Sequence, residues 1–249
     1  MTPLQALATF AAGILAGTIN TVVGSGTLVT FPVLLAFGYA PVVANVSNTV
    51  GLVPGSVAGA IGYRRELSGQ RRRAIPLLAA SVIGGLAGAI LLLSLPASAF
   101  KAIVPAFIAI ALVLIVVQPR LARTLAARRR THGRAGGPAT AGVLASGVYG
   151  GYFGAAQGIL LLAILTLALD DELQRINALK VVLAGLVNAV AGVVFVVAAH
   201  VAWLPAVLIA VGSSIGGILG AHQGRRLPPA ALRAVIVVVG IAAIVRLVT

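Results

Sequence analysis

Two glycine-rich stretches interrupt an otherwise apolar sequence and bring polar groups with them. Residues 20–27 read NTVVGSGT, and residues 150–158 read GGYFGAAQG. Breaks of this kind free backbone N–H groups, and a helix that begins after the break directs its positive dipole end toward it, which favours a bound anion. The alternative is close helix packing through small residues, without a ligand. The candidate binding residues in these stretches are Asn20, Gly24, Ser25, Gly26, Gly154, Gln157 and Gly158.

Two later apolar segments carry polar side chains at helical spacing. Asn45 and Asn48 share one helix face, and so do Asn177 and Lys180. Amides at this depth require partners or a hydrated cavity, although ordinary interhelical hydrogen bonding also accounts for many of them. Lys180 either pairs with an anionic substrate or extends toward the acidic loop at 170–172, and the sequence leaves both alternatives open. Asn188, which aligns with Ser56 of the first half, completes the candidate site.

The residue types needed for enzymatic or metal chemistry are scarce within the apolar segments. The chain has no cysteine, and its four acidic residues and three histidines fall in loops or at segment ends. No histidine lies within a segment to activate Ser25 as a nucleophile. We therefore expect neither an enzyme nor a bound cofactor or metal.

The composition indicates a membrane protein. The chain is 60% hydrophobic and 9% charged, whereas about a quarter of the residues in a soluble domain are charged. The net charge of +14 comes largely from arginines in short loops, which is typical of cytoplasmic loops rather than of a nucleic-acid-binding surface. The expected surroundings are therefore the lipid bilayer, with no nucleic-acid partner.

An internal repeat predicts the architecture. The sequence IGGLAGA at 83–89 returns as IGGILGA at 215–221, and Asn45 falls on Asn177 at the same offset. Each half contains five apolar segments, one of them short, and an odd number per repeat inverts the second repeat in the membrane. We predict an all-α, polytopic transmembrane helix bundle of two inverted five-segment repeats, with about eight full spans and two short broken or re-entrant helices. The predicted segments are 4–23, 27–37, 42–62, 74–95, 99–118, 138–156, 159–169, 176–199, 203–221 and 230–248.

The arginines orient these segments. The loops containing Arg71 and Arg128 should be cytoplasmic, whereas the uncharged turn at 94–98 should lie outside. In the second half the pattern reverses, because the turn at 223–229 is basic and the loop at 200–203 has no arginine or lysine. The predicted division is a first transmembrane repeat at 1–118, a basic cytoplasmic linker at 119–137 and a second repeat at 138–249, with both termini outside the cytoplasm.

The order of these motifs resembles the sulfite exporter TauE/SafE family of bacterial membrane transporters. The resemblance rests on the GSG motif at 24–26, the FPVLL sequence at 31–35, the polar run at 45–49, the GGYFG motif at 150–154 and the NALK sequence at 177–180. It covers nearly the whole chain. Two departures from the family pattern, Gly-Ser-Gly-Thr in the first motif and AAQG at 155–158, concern the identity of the substrate.

The resemblance implies transport of sulfite, a sulfonate or a related small organic anion across the cytoplasmic (inner) membrane by a multi-pass protein. We expect export, because an interior-negative potential drives an anion outward by about 2.3 kcal/mol per charge per 100 mV. The alternatives are a cation-coupled anion uptake permease and a non-transporting intramembrane enzyme or assembly factor. The specific anion, a coupling ion and assembly into a homo-oligomer are left open.

Overall fold

The computed structural model describes residues 1–127 and 136–223, together with residues 232, 234, 236–241 and 244, and for residues 121–127 it describes the backbone alone. These parts of the chain are helical and contain no β-strand. The helices are α1 (Pro3–Val22), α2 (Thr27–Ala36), α3 (Pro41–Gly62), α4 (Arg64–Leu67), α5 (Arg71–Ser94), α6 (Ala97–Ala127), α7 (Gly137–Tyr152), α8 (Gln157–Ala168), α9 (Leu173–Ala198) and α10 (Trp203–Gln223).

Five of the described helices are long and apolar enough to cross a membrane, namely α1, α5, the Ala97–Arg120 part of α6, α9 and α10. The two short apolar helices, α2 and α8, lie where the sequence predicts broken segments. Two further helices belong to neither group. Helix α3 has 22 residues, several of them polar, and α7 has 16 residues. The predicted last segment, 230–248, lies largely outside the described residues, so the count of eight full spans stays a prediction.

One helix extends beyond its predicted apolar segment, although its apolar part, Ala97–Arg120, matches that segment closely. Helix α6 continues to Ala127, whereas the predicted segment ends at residue 118. The stretch LARTLAA at 121–127 consists mainly of Leu, Ala and Arg, which have high helix propensity, so the helix continues after its hydrophobic part ends. The basic residues at 128–134 and Arg225 and Arg226 lie outside the described residues.

Glycines set the direction in which neighbouring helices pack. Along α1, Gly13 faces Ile209 and Gly17 faces Ser213, so α1 and α10 run in the same direction. Gly55 of α3 also faces Ser213, while Gly62 lies against Ala221 further along, so α3 runs parallel to α10. A Cβ at most of these glycines would meet backbone atoms of the neighbouring helix, and close approach between the helices therefore requires glycine there.

Helices α5, α7 and α9 run the opposite way. Gly84 lies against the Leu144 carbonyl and Gly88 against the Val148 carbonyl, so α5 and α7 are parallel to each other. Gly185 of α9 faces Ser56 of α3, whereas Gly192 faces Val50, so α9 is antiparallel to α3. The bundle thus contains two sets of parallel helices, α1, α3 and α10 in one and α5, α7 and α9 in the other, which meet along α3 and α9.

The short helices fold back along the helices that precede them. A Cβ at Gly26, just before α2, would lie 2.5 Å from the carbonyl oxygen of Ala16 in α1. In the second half, Gly142 of α7 faces Ile164 of α8, and Gly150 lies under the Gln157 side chain. The α1–α2 and α7–α8 pairs are therefore helical hairpins, and their turns contain the two glycine-rich stretches.

Candidate functional site

The turns of the two hairpins meet in the interior of the bundle. The Gly158 N–H donates a hydrogen bond to the Gly24 carbonyl at 3.0 Å. A Cβ at either glycine would lie 2.5 Å from the Cα of the other. Gly24 also has φ +92°, in the left-handed region that glycine enters without strain. The two stretches that the sequence singled out are thus in direct backbone contact, and only glycine fits at the contact.

Both turns leave backbone donors without acceptors. Within the described residues, the N–H groups of Ser25, Gly26 and Thr27 at the start of α2 donate no hydrogen bond, and neither do those of Ala155 and Ala156 before α8. These groups lie at helix N-termini, where the dipole is positive. All five residues are buried. Unsatisfied donors of this kind suit an anion or a water-filled cavity.

Each turn also carries one side chain with an unsatisfied polar atom. The Ser25 hydroxyl is fully buried without a hydrogen-bond partner, and the Gln157 Nε2 is buried in the same state. Ser25 and Gln157 stand beside Gly24 and Gly158, which form the contact between the turns. Buried polar atoms without partners are uncommon and costly in a finished interior, at about 1–3 kcal/mol each. A ligand or water molecule would satisfy these two atoms, which makes the turns a candidate binding site.

The second turn is strained. Ala156, the residue before α8, has φ +60°, the one positive φ at a residue other than glycine in the described part of the chain. The left-handed conformation costs an L-residue about 1–2 kcal/mol. The same strain is absent from the first turn, where Gly26 precedes α2 in a right-handed conformation. Strain of this kind concentrates at functional sites, which is consistent with the unsatisfied donors beside it.

The side chain of Lys180, a residue of α9, reaches the C-terminal end of α1. Its side chain is fully buried, and its Nζ donates to the carbonyl oxygens of Asn20 at 3.3 Å and Thr21 at 3.2 Å. Asn177 donates from Nδ2 to the same Thr21 carbonyl at 3.3 Å and to the Tyr63 hydroxyl at 3.1 Å. The ammonium therefore points into the bundle and away from the acidic loop at 170–172. The carbonyl end of α1 is also the negative end of its dipole, which favours a cation there.

Asn45 and Asn48 occupy the corresponding face of α3 but have different partners. Asn45 donates from Nδ2 to the Tyr152 carbonyl at 3.0 Å, at the end of α7. Asn48 donates to the Thr27 hydroxyl at 3.3 Å and accepts a hydrogen bond from the Thr30 hydroxyl, both on α2. Each half thus sends an asparagine to the end of the other half's first helix, whereas Lys180 contacts α1 and Asn48 contacts α2.

The structure brings most of the predicted site residues into two adjoining groups. Gly24, Ser25, Gly26, Gly154, Gln157 and Gly158 form the turns, and Asn20, Asn45, Asn48, Asn177 and Lys180 hold the ends of the broken helices. Asn20 also approaches the Ser56 hydroxyl, at 3.5 Å. Asn188 is half-buried and makes no hydrogen bond with the described residues, so it is not joined to either group.

Sequence reasoning missed four residues that bind the candidates. Thr27 and Thr30 lie three positions apart on α2 and together hold the Asn48 amide. This spacing on a short apolar helix puts both hydroxyls on one face, so it could have predicted a shared polar partner. Tyr63 gave no such signal, because its partner Asn177 lies more than a hundred positions away. Tyr152 contributes its backbone carbonyl from within the glycine-rich stretch at 150–158.

An ionic cluster joins the start of α5 to the start of α9. Asp171 accepts hydrogen bonds from Arg73 and, at 3.0 Å, from Arg175, while Gln70 donates to the Arg175 carbonyl at 3.0 Å. Partial burial acts to raise the pKa of the Asp171 carboxyl, but the hydrogen bonds from Arg73, Arg175 and the Glu172 backbone together lower it below its usual value. The cluster lies outside the apolar segments and joins the two halves of the chain.

The chain matches a known family over most of its length. The model of the family described as sulfite exporter TauE/SafE matches residues 9–247. The "Probable membrane transporter protein YfcA" of Escherichia coli (strain K12) is 28% identical over 232 residues, which cover 91% of this chain and 82% of that protein. The "Probable membrane transporter protein ORF9" of Sinorhizobium sp is 27% identical over 242 residues, with coverage of 96% and 90%.

A third relative, the "Probable membrane transporter protein" of Haemophilus influenzae (strain ATCC 51907 / DSM 11121 / KW20 / Rd), is 26% identical over 218 residues, which cover 86% of this chain and 83% of that protein. No solved structure matches the chain. The family match agrees with the all-helical fold and its apolar helices, and it confirms the resemblance read from the glycine and asparagine motifs. The chain therefore belongs to the sulfite exporter TauE/SafE family of membrane transporters.

Proposed function

We propose that this protein exports a small anion, such as sulfite or a sulfonate, across the cytoplasmic membrane, through a site where the two hairpin turns meet. The observation that carries this proposal is the contact of Gly24 with Gly158. Around it, two helix N-termini with free N–H groups are accompanied by the unsatisfied side chains of Ser25 and Gln157. Donors without acceptors at the positive ends of two helices match an anion and disfavour a cation.

The proposed architecture is a pair of inverted repeats with the site between them. Its support is a symmetric pattern of packing, in which α5 of the first half packs against the second half and α10 of the second half packs against the first. Helix α1 packs on α10 as α7 packs on α5, and α3 packs on α10 as α9 packs on α5. The two sets of helices run in opposite directions, as an inverted pair requires. A site at the junction of two such repeats is accessible from either side when one repeat rocks against the other.

The export direction rests on electrostatics and on the family. The arginine-rich loop at 64–73 orients α5 with its first residue in the cytoplasm. Leu173, the first residue of α9, lies on the same side, because Arg175 contacts Ser68 and Asp171. Lys180 therefore lies in the cytoplasmic half of α9, where its charge attracts anions from inside the cell. The membrane potential then favours release of the anion to the outside.

Flux into and out of proteoliposomes tests this function. Purified protein is reconstituted in vesicles loaded with sulfite or sulfoacetate, and efflux is followed under an imposed interior-negative potassium diffusion potential. Efflux faster than from empty vesicles, and faster still with a larger potential, is the expected result. Equal efflux with and without protein for every small anion tested would refute anion transport. Faster uptake than efflux under the same potential, dependent on an added cation, would favour the uptake permease.

A further inference from the structure

The break between α1 and α2 leaves two carbonyl groups without helical donors. In a continuous helix the Gly24 N–H would bond to the Asn20 carbonyl and the Ser25 N–H to the Thr21 carbonyl. Here the Gly24 N–H bonds to the Ile19 carbonyl at 2.9 Å, and the Ser25 N–H donates no hydrogen bond. The carbonyl oxygens of Asn20 and Thr21 therefore stand free at the negative end of α1, inside the bundle.

The Lys180 ammonium is the group that satisfies them, at 3.3 Å from Asn20 and 3.2 Å from Thr21. Within the part of the chain that the structure describes, Lys180 is the only charged side chain that is fully buried, and no carboxylate pairs with it. A buried charge without a counter-ion is expensive. Here the backbone carbonyls and the dipole of α1 stabilise the buried ammonium.

Asn177 shares the Thr21 carbonyl with Lys180. Asn177 directs its Nδ2 to the Thr21 carbonyl, and its Oδ1 is buried without a hydrogen-bond partner. Free backbone carbonyls at the end of a broken helix are ligands that hold Na⁺ in transporters built from inverted repeats. Oxygen ligands of this kind suit a hard monovalent cation.

The other half of the chain lacks this arrangement. Asn48 holds the position equivalent to Lys180, and its amide contacts the Thr27 and Thr30 hydroxyls on α2. Among the described residues, the side chain that contacts the end of α7 in this way is the neutral Asn45 amide, at the Tyr152 carbonyl. A cation thus sits at the end of one broken helix and not at the other, and the fold alone does not require one at both.

We propose that the carbonyl oxygens of Asn20 and Thr21 belong to a monovalent cation site that the Lys180 ammonium occupies as a tethered substitute for a free coupling cation. Anion transport by this chain is then independent of Na⁺ and K⁺. Removal of the ammonium opens the site to a small free cation. The flux part of this inference rests on the proposed transport function, whereas occupancy of the site does not.

The test compares Lys180→Ala and Lys180→Met with the wild-type protein, and Asn48→Ala is the matched control from the other half. Unfolding temperatures are measured in detergent at constant ionic strength with NaCl, KCl, methylammonium chloride or N-methylglucamine chloride. A ligand that binds only the folded state raises its stability in a saturable manner. We expect one small cation to raise the unfolding temperature of both Lys180 variants saturably, with no selective effect on the wild type or on Asn48→Ala.

Flux provides the second measurement. Wild-type flux should be equal in Na⁺, K⁺ and N-methylglucamine media, and the stabilising cation should restore at least part of the flux lost in Lys180→Ala. Identical unfolding temperatures of the Lys180 variants in all four salts would overturn the site, since a merely structural lysine predicts an unselective loss. If neither variant folds, a wild-type flux that requires Na⁺ or K⁺ still refutes the proposal. A wild type without anion flux refutes the transport function and leaves the stability result to decide the cation site.

Discussion

The N–H of Gly158 and the carbonyl of Gly24 are joined by a hydrogen bond of 3.0 Å, so broken segments from the two halves of the chain touch through their backbones. No side chain separates them, because a Cβ on either residue would meet the other's Cα at 2.5 Å. The geometry of the two helix N-termini beside this contact therefore depends on two glycines.

Replacement of Gly158 by alanine should disrupt the contact. The added methyl group forces the turns apart, and such overpacking costs about 1–3 kcal/mol of folding stability. We expect anion flux per molecule to fall to near background while the protein still inserts in the membrane. Gly137→Ala is the control, because a Cβ at Gly137 meets nothing within 4 Å. Wild-type flux in Gly158→Ala would show that the site lies elsewhere.

The Ser25 hydroxyl should contribute to binding and not to folding. It has no partner in the interior, so Ser25→Ala should leave the unfolding temperature unchanged or slightly higher. A hydrogen bond to a charged ligand contributes about 1.5–3 kcal/mol, so the apparent anion affinity should fall about tenfold or more. Ser213→Ala is the control, because it removes a hydroxyl bonded to the Gly51 carbonyl at 2.9 Å. It should lower the unfolding temperature and leave the apparent anion affinity unchanged. An unchanged affinity in Ser25→Ala would remove this hydroxyl from the site.

The strain at Ala156 should be measurable by comparison with its neighbour. Both Ala155 and Ala156 are fully buried, so replacement by glycine removes a buried methyl group in each case. At Ala156 the change also relieves the left-handed φ, which is worth about 1–2 kcal/mol. Ala156→Gly should therefore be more stable than Ala155→Gly by about that amount, as measured by unfolding in mild detergent. Equal stabilities would mean that the backbone at Ala156 is not strained.

The Asp171 cluster predicts a stability difference that depends on pH. Because the pKa of Asp171 is lowered in the folded protein, its contribution is complete above the unfolded pKa of about 3.9 and is lost as the pH falls through the folded value. Asp171→Asn should thus lower the unfolding temperature at pH 7 and lose this effect in strong acid. The expected loss is about 1 kcal/mol for a half-buried ion pair. Glu172→Gln, at an exposed carboxylate, is the control and should change little at either pH.

The inverted topology can be tested at equivalent positions of the two halves. The chain contains no cysteine, so single cysteines at Ser68 and His200 can be labelled selectively, and both positions are exposed. An impermeant thiol reagent added to intact cells should label the cysteine at 200 and spare the one at 68. The reason is that the arginines around Ser68 hold that loop in the cytoplasm. Labelling of both positions from the same side would contradict the inverted repeat.

Much of the fold follows from local sequence. Helices begin within three residues of the predicted positions at α3, α5 and α9, because runs of apolar residues bounded by Pro, Gly or Arg define a helix without reference to distant parts of the chain. The breaks after α1 and α7 were also predictable, because glycine-rich stretches at 20–27 and 150–158 favour an interruption of the helix. In the structure Gly24 and Gly154 adopt positive φ at these breaks. The apolar part of α6 ends at Arg120, close to the predicted 118, but the helix itself continues to Ala127, because helix propensity persists after the hydrophobic residues end.

The amino-acid sequence by itself determined that this is a helical membrane protein, where its helices break and which polar residues lie near the breaks. Only the tertiary structure decided what those residues do. It put the Lys180 ammonium on the carbonyls of Asn20 and Thr21, some 160 positions away, and left the Ser25 hydroxyl and the Gln157 Nε2 without partners. The physical reason is that apolar periodicity and glycine conformation act locally. The partner of a buried polar group is chosen by helix packing, which brings together residues far apart in the chain.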